Sequence, residues 1–165
     1  MNAIKANPTA QDIMSKEPVC ADLSMTIRQL ARLFEENEIS GCPVLDQEGK
    51  VVGVVSKTDL IRRCSEGTRD HPPGYLFEVI SEEDDDGPLP DPLVAVEDFM
   101  TDEPATVSPT TPVAKVAALM VKRRIHRVIV VDEENFPLGV ITTLDLLGVF
   151  PGMEPKEAAG ARRSA

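Results

Sequence analysis

The sequence contains one segment twice, and the second copy follows the first at a constant shift of 86 positions. That shift carries Asp59 onto Asp145 and aligns the two halves without a gap. Identical residues recur along the whole segment: Met14 and Met100, Pro18 and Pro104, Val44 and Val130, Asp46 and Asp132, Gly53 and Gly139. Such a chain is predicted to fold as two copies of one unit that pack together around a shared core.

Each copy contains a corner at which a strand is predicted to lead into a helix. The runs Gly53–Asp59 and Gly139–Asp145 both read glycine, two β-branched aliphatic residues, a hydroxyl residue, two spacers and aspartate. The aliphatic pair indicates the end of a buried strand. Ser56 and Thr142 are suited to cap the helix that follows, so each aspartate lies in a first helical turn.

Periodicity predicts the other elements of the repeat. Apolar residues recur at the spacing of an amphipathic helix. They are Ile27, Leu30, Ala31 and Phe34 in the first copy, and Val113, Val116, Ala117 and Met120 in the second. A hairpin follows in each copy, and its turn contains a residue that tolerates positive φ, Gly49 or Asn135. Each repeat is therefore predicted to run helix, short strand, helix, two-stranded hairpin, helix.

The repeats divide the chain into five predicted parts. They are a flexible N-terminus at 1–8, the first repeat at 9–64, a linker at 65–92, the second repeat at 93–149, and a flexible tail at 150–165. The linker contains the acidic run Glu82–Asp86 and three prolines after it, a composition typical of solvated segments. Within the linker, Gly74–Ile80 is apolar enough to dock on the folded body.

Composition narrows the classes of function. The net charge of −11 argues against nucleic acid or an anionic membrane as the main partner. The three cysteines are far apart and form no CxxC pair, which disfavours a disulfide framework and a cysteine zinc site. The chain has no apolar run of bilayer length and no signal-peptide pattern, so we expect a cytoplasmic protein.

The sequence offers no combination of residues that predicts catalysis. Its two histidines, His71 and His126, occur in unrelated contexts. No pairing of a nucleophile with a histidine, no set of metal ligands and no phosphate-cradling glycine loop can be assembled. We therefore predict neither enzymatic activity nor a metal site.

The two repeats resemble a tandem pair of CBS domains, the arrangement known as a Bateman module. The resemblance rests on Asp12–Met14 and Asp98–Met100, on Ile39–Asp46 and Ile125–Asp132, and on the two corner motifs, and it covers roughly Thr9 to Gly148. It implies an α/β (α+β) fold of two β-α-β-β-α repeats, packed sheet to sheet with pseudo-twofold symmetry. With no appended enzyme, channel or transporter domain in the sequence, a stand-alone CBS pair that forms a disc-shaped homodimer is expected.

The resemblance also implies the ligands. Clefts between the repeats of CBS pairs commonly bind adenosine-containing molecules such as AMP, ADP, ATP or S-adenosylmethionine, so Mg²⁺ is expected only as a counter-ion of a nucleotide. Asp59 and Asp145 would hold the ribose, with Ser56 and Thr142 beside ribose or phosphate. A carboxylate can accept hydrogen bonds from both hydroxyls of a ribose. The same residues also fit a purely structural capping box, and the sequence leaves both interpretations open.

Further site residues are assigned by the resemblance alone. His126 and Arg127 resemble the His-Arg pair of AMP-binding CBS domains, such as those of the AMP-activated kinase γ subunit, and would contact phosphate. A guanidinium suits this role because it can grip a phosphate with two hydrogen bonds. The remaining residues would line the two pockets: Cys20, Ala21, Gly41, Cys42 and Pro43 in the first repeat, and Thr106, Val107 and Val128 in the second. The alternative for these residues is an ordinary place in a strand.

Two classes of function remain open at this point. One is a sensor that binds an adenine nucleotide, or alternatively S-adenosylmethionine, and transmits the binding to a partner protein. The other is an interaction or dimerisation module without a functional ligand. The stripe Leu144, Leu147, Phe150 on the closing helix could belong to the core or to a dimer face.

Overall fold

A computed structural model describes residues 7–67, 72–76 and 94–150 of the chain. Its helices are α1 (Ala10–Ile13), α2 (Ile27–Glu36), α3 (Lys57–Glu66), α4 (Val113–Arg123) and α5 (Thr143–Leu147), with a 3₁₀ turn at Val96–Asp98. Its strands are β1 (Ser15–Lys16), β2 (Ala21–Asp22), β3 (Gly41–Leu45), β4 (Val51–Ser56), β5 (Thr101–Asp102), β6 (Thr106–Val107), β7 (Arg127–Val131) and β8 (Pro137–Thr142). The predicted mixed α and β fold of two β-α-β-β-α repeats is confirmed.

The chain separates into two compact units. The first-repeat unit comprises, among the described residues, 18–67, 72–76, 94–104 and 134–137. Its sheet has the order β2-β3-β4-β5, in which β2 is parallel to β3 and the other neighbours are antiparallel. The second-repeat unit comprises 7–17, 105–133 and 138–150, and its sheet has the order β1-β8-β7-β6.

The segment that precedes each repeat belongs to the unit of the other repeat. Residues 7–17 belong to the second-repeat unit, and residues 94–104 belong to the first-repeat unit. In the second-repeat unit, β1 pairs antiparallel with β8, so that Lys16 lies opposite Gly139. The backbone N–H of Ala10 also donates to the carbonyl of Thr111 at 2.8 Å. In the first-repeat unit, the N–H of Val96 donates to the carbonyl of Met25 at 2.9 Å. The sequence analysis had placed each leading helix with its own repeat and had not predicted β1 or β5.

The two repeats also share unusual backbone conformations at equivalent positions. Six of the residues with positive φ form three pairs at the shift of 86 positions: Glu17 and Glu103, Glu38 and Arg124, Gly49 and Asn135. Most residues avoid this region because the β-carbon approaches the backbone too closely. Gly49 (φ 84°) and Asn135 (φ 72°) confirm the prediction of a left-handed residue in each hairpin turn.

Each unit has its own apolar core. In the first-repeat unit the α2 stripe is buried against the sheet, and Leu30 and Phe34 pack there with Val44 and Val55. In the second-repeat unit the corresponding core consists of Ala10, Val116, Met120, Val128, Val130 and Ile141. The amphipathic helices predicted from spacing therefore pack as expected, with Ala31 and Ala117 half-buried at the edge of each stripe.

The docking of the linker segment is confirmed for its described part. Leu76 is buried in a smaller cluster with Ile27, Cys64 and Val94. The N–H of Gly74 donates to the carbonyl of Cys64 at 3.1 Å, which ties this segment to the end of α3. The acidic run Glu82–Asp86, His71, the rest of Gly74–Ile80, residues 1–6 of the predicted flexible N-terminus and residues 151–165 of the predicted tail lie outside the described residues.

Candidate functional site

The second-repeat corner holds Asp145 in a fixed position at the end of β8. The N–H and the hydroxyl of Thr142 donate to Oδ2 of Asp145 at 2.6 and 2.7 Å. The N–H of Asp145 approaches the Thr142 hydroxyl at 3.4 Å and completes a reciprocal capping box. Oδ1 of this half-buried residue has no hydrogen-bond partner among the described residues. One carboxylate oxygen therefore fixes the corner, and the other remains available.

The predicted phosphate-binding pair lies beside this corner. Both the N–H and the hydroxyl of Thr143 donate to the carbonyl of His126, at 3.1 and 3.3 Å. These bonds hold the start of β7 against the first residue of α5. His126 is exposed, and Arg127, the first residue of β7, is half-buried. The structure thus joins His126 to this corner through Thr143, the residue that follows Thr142. That His126, Arg127, Thr142 and Asp145 bind one ligand together stays a prediction.

The first-repeat corner repeats this geometry with one addition. Oδ2 of Asp59 accepts from the N–H and the hydroxyl of Ser56 at 2.9 and 2.7 Å. The N–H of Lys57 donates to the carbonyl of Ser40 at 2.9 Å, which matches the bond from Thr143 to His126. Unlike its counterpart, Asp59 is also paired through Oδ1 with Nη2 of Arg62. Sequence reasoning missed Arg62, although its place one helical turn after Asp59 was visible.

Most of the predicted pocket-lining side chains belong to the cores of their units. The side chains of Ala21, Cys42, Pro43 and Val128 are almost fully buried. Gly41 lies directly opposite Ser56 in the β3–β4 pair, so its backbone borders the corner. Thr106 is exposed and Val107 is half-buried on β6, which runs parallel to β7. The four buried residues therefore expose almost no surface that a ligand could contact.

The cysteines have the properties of structural thiols. All three are free, and Cys42 and Cys64 are buried. The Cys20 thiol donates to the carbonyl of Pro18 at 3.2 Å. Burial, with a further contribution from the charge of Asp22, raises the pKa of Cys20 to about 11, and burial also raises the pKa of Cys64. Because the thiolate is the reactive form, Cys20 and Cys64 are poorly suited to redox chemistry at neutral pH.

A cluster of metal ligands and a membrane-spanning helix are both absent from the described part of the chain. No group of three or more histidine, cysteine, aspartate or glutamate residues there could hold a metal ion. In the same residues, no helix has the length and apolar character that a membrane span requires.

Comparison with known proteins assigns the family. The CBS domain family matches the chain at two tandem positions, residues 10–66 and 96–152, which together make up more than half of its length. This chain belongs to the CBS domain family. The resemblance deduced from the repeated motifs is therefore confirmed, and the two corners are equivalent positions of a CBS pair.

Two relatives differ in how much of their length this chain covers. The uncharacterized protein MJ1426 of Methanocaldococcus jannaschii is 33% identical over 150 residues, which cover 83% of this chain and 88% of that protein. The L-aspartate semialdehyde sulfurtransferase of the same organism is 25% identical over 142 residues. That match covers 86% of this chain but only 23% of the enzyme. The chain therefore spans most of the first relative and about a quarter of the second.

Solved structures of CBS pairs share the fold. The CBS domain pair of protein MJ0100, in complex with 5′-methylthioadenosine and S-adenosyl-L-methionine, has a TM-score of 0.65 and 25% identity, and the match covers 85% of this chain and 93% of that one. CBSX2 in complex with AMP has a TM-score of 0.64 and 25% identity, with 84% and 92% covered. Both neighbours were solved with adenosine-containing molecules.

Proposed function

We propose that this CBS pair is a cytoplasmic regulatory module that binds an adenosine-containing ligand, without catalysing a reaction itself. The observation that carries the proposal is the Asp145 carboxylate, which has one oxygen fixed by Thr142 and the other available. An ionised carboxylate in this state can accept charge-assisted hydrogen bonds from the two hydroxyls of a ribose. The adenosine ligands of the MJ0100 and CBSX2 structures support this choice of ligand class.

Among adenosine ligands, we favour AMP, ADP or ATP. Arg127 is the first residue of β7, and His126 precedes it. The carbonyl of His126 accepts a hydrogen bond from Thr143, which belongs to the corner of Asp145. A guanidinium suits the phosphate of a nucleotide, whereas the positively charged sulfonium of S-adenosylmethionine gains nothing from a neighbouring cation. S-Adenosylmethionine remains the alternative ligand, and Mg²⁺ would enter only as the counter-ion of a bound nucleotide.

The regulatory part of the proposal requires that a ligand changes the equilibrium between two states of the protein. A ligand shifts such an equilibrium only by as much as its affinity for the two states differs. A partner protein would respond to this change if it binds the two states with unequal affinity. The alternative function is an interaction module whose behaviour does not depend on a ligand.

Thermal unfolding in the presence of candidate ligands tests the proposal. The chain would be heated with AMP, ADP, ATP or S-adenosylmethionine, with 2′-deoxy-AMP as the control that lacks the second ribose hydroxyl. A ligand present at 100 times its Kd should add about 2.7 kcal/mol to the free energy of unfolding, and 2′-deoxy-AMP should add less. If no adenosine compound raises Tm, the interaction-module alternative replaces the sensor. If only S-adenosylmethionine does so, the preference for nucleotides is wrong.

We also propose that the chain forms a homodimer through the face of α5 and the residues after it. Leu144, Leu147 and Phe150 are 77%, 45% and 59% exposed, so this stripe does not belong to the core of its unit. Three large apolar side chains spaced along one short segment form a surface that association would cover. A homodimer is also the assembly that the resemblance to CBS pairs implies.

Replacing Leu144 by aspartate tests this interface. The wild-type chain should have the mass of a dimer in light scattering, and Leu144→Asp should have the mass of a monomer, because a charge would be buried at the interface. Val121→Asp is a suitable control, since Val121 is 79% exposed on α4 and lies outside the stripe. A monomeric wild type, or a variant at position 144 that remains dimeric, would contradict the proposed interface.

A further inference from the structure

The two corner carboxylates have the same cap but different surroundings. Asp59 and Asp145 each accept two hydrogen bonds at Oδ2, from the backbone and hydroxyl of Ser56 and Thr142 respectively. At Oδ1, Asp59 accepts from Arg62, whereas Asp145 has no partner among the described residues. The shift of 86 positions places Gly148 where the first repeat has Arg62, so the second repeat has no side chain there to form this pair.

The ion pair leaves Asp59 too few acceptor sites for both hydroxyls of a ribose, because Oδ2 already accepts two hydrogen bonds and Oδ1 gives one of its two lone pairs to Arg62. The side chain of Asp59 is only 11% exposed, while that of its partner Arg62 is 61% exposed. Arg62 follows Asp59 by three residues on α3, a spacing at which side chains on a helix meet. A ribose that bound Asp59 through both hydroxyls would have to replace this charge-assisted bond, whereas a ribose that bound Asp145 would replace only water.

Exposed ion pairs contribute little to stability, and this limits how firmly Arg62 can be held. Here only the arginine is largely exposed, because the carboxylate is mostly buried and is fixed by Ser56. Its attraction to the guanidinium is therefore screened less than in a fully exposed pair. A ligand that cannot form one of its hydrogen bonds to the Asp59 carboxylate is expected to bind roughly tenfold more weakly, or weaker still.

We propose that Arg62 closes the first-repeat corner to adenosine ligands, so that each chain binds one ligand, at Asp145. This inference rests on the proposed function and specifies which of its two equivalent corners is used. Arg62 acts as a specificity-determining residue through its bond to Asp59. The matching glycine at position 148 keeps the second corner open.

Titration calorimetry with AMP, and in parallel with S-adenosylmethionine, tests the stoichiometry. The wild-type chain should bind one ligand per chain. Arg62→Ala should add a second site, because it releases Oδ1 of Asp59. Lys57→Ala is the matched control, since it removes the same charge from the exposed first turn of the same helix without touching the Asp59 carboxylate, and it should retain one site.

The reciprocal variant Gly148→Arg should place a guanidinium three residues after Asp145. Gly148 has helical φ and ψ of −62° and −14°, and a β-carbon there would meet its nearest neighbour, the carbonyl oxygen of Asp145, at 3.4 Å. The substitution is therefore compatible with the backbone. It should weaken binding at Asp145 about tenfold or more, for the same reason that Arg62 closes Asp59.

The outcomes separate this inference from the proposed function. A wild-type chain that binds two ligands, or an Arg62→Ala variant that still binds one, overturns the role of Arg62. Loss of a site in Arg62→Ala also overturns it, because Arg62 would then contact the ligand itself. If neither compound binds any of the variants, the proposed function fails and this inference fails with it.

Discussion

Gly139→Val is expected to lower the free energy of unfolding by about 3 kcal/mol or more, because the new side chain has no room. A β-carbon at position 139 would lie 2.6 Å from Sδ of Met14 and 2.7 Å from the carbonyl oxygen of Ser15. The methionine side chain could turn away, but the carbonyl belongs to β1. Moving it would disturb the β1–β8 pairing, in which Lys16 lies opposite Gly139. The second-repeat unit would then lose β1, the edge strand of its sheet.

The equivalent substitution in the first repeat should cost less. A β-carbon at Gly53 would lie 2.5 Å from Sδ of Met100, which is the flexible part of a side chain, but 3.1 Å from the carbonyl oxygen of Thr101. Gly53→Val should therefore be relieved in part by movement of the methionine. We expect the order of stability to be wild type, then Gly53→Val, then Gly139→Val.

Urea unfolding followed by circular dichroism would measure this order. Gly148→Ala is the control for loss of glycine, because a β-carbon there meets no atom closer than 3.4 Å, and its free energy of unfolding should be close to that of the wild type. If Gly139→Val unfolds at the same urea concentration as the control, then close approach of β1 is not what requires glycine at this position.

These glycines show both what the sequence could predict and what it could not. Their recurrence as Gly53 and Gly139 was visible from the repeat, and it correctly indicated a shared structure. The reason for them was not visible, because β1 and β5 are two residues long and have no measurable period. Their partner strands lie far along the chain, and a pairing between distant segments leaves no local pattern.

The candidate site also has features that the sequence could predict and features that it could not. The contacts of Ser56 with Asp59 and of Thr142 with Asp145 span three residues, so the sequence alone could predict the capping boxes. Whether Oδ1 remains available depends on the residue three positions after the aspartate, Arg62 in one repeat and Gly148 in the other. The pattern of matching residues does not single out this difference. Burial of Ala21 and Cys42 also depends on packing in the whole unit, which composition and spacing do not specify.

Asp145→Asn is expected to reduce the affinity for an adenosine ligand about 10- to 100-fold, the loss that corresponds to one charge-assisted hydrogen bond. Asparagine has nearly the same shape and keeps one carbonyl oxygen, which can still accept from the N–H of Thr142. The atom available to the ligand becomes an NH₂ group, which donates hydrogen bonds and cannot accept one from a ribose hydroxyl. Calorimetric titration with AMP measures this change directly.

Asp59→Asn is the matched control for this experiment, because it makes the same chemical change at the equivalent corner. Since Arg62 already occupies Oδ1 of Asp59, the control should leave the affinity for AMP unchanged while loosening the ion pair. Urea unfolding of both variants would show that each unit remains folded, so that a loss of affinity reflects the site. Equal losses in the two variants would mean that both corners bind ligand, and a loss in Asp59→Asn alone would place the ligand at the first corner. Undiminished binding in Asp145→Asn would mean that its carboxylate serves only as a cap, as the local pattern of hydroxyl and aspartate by itself allows.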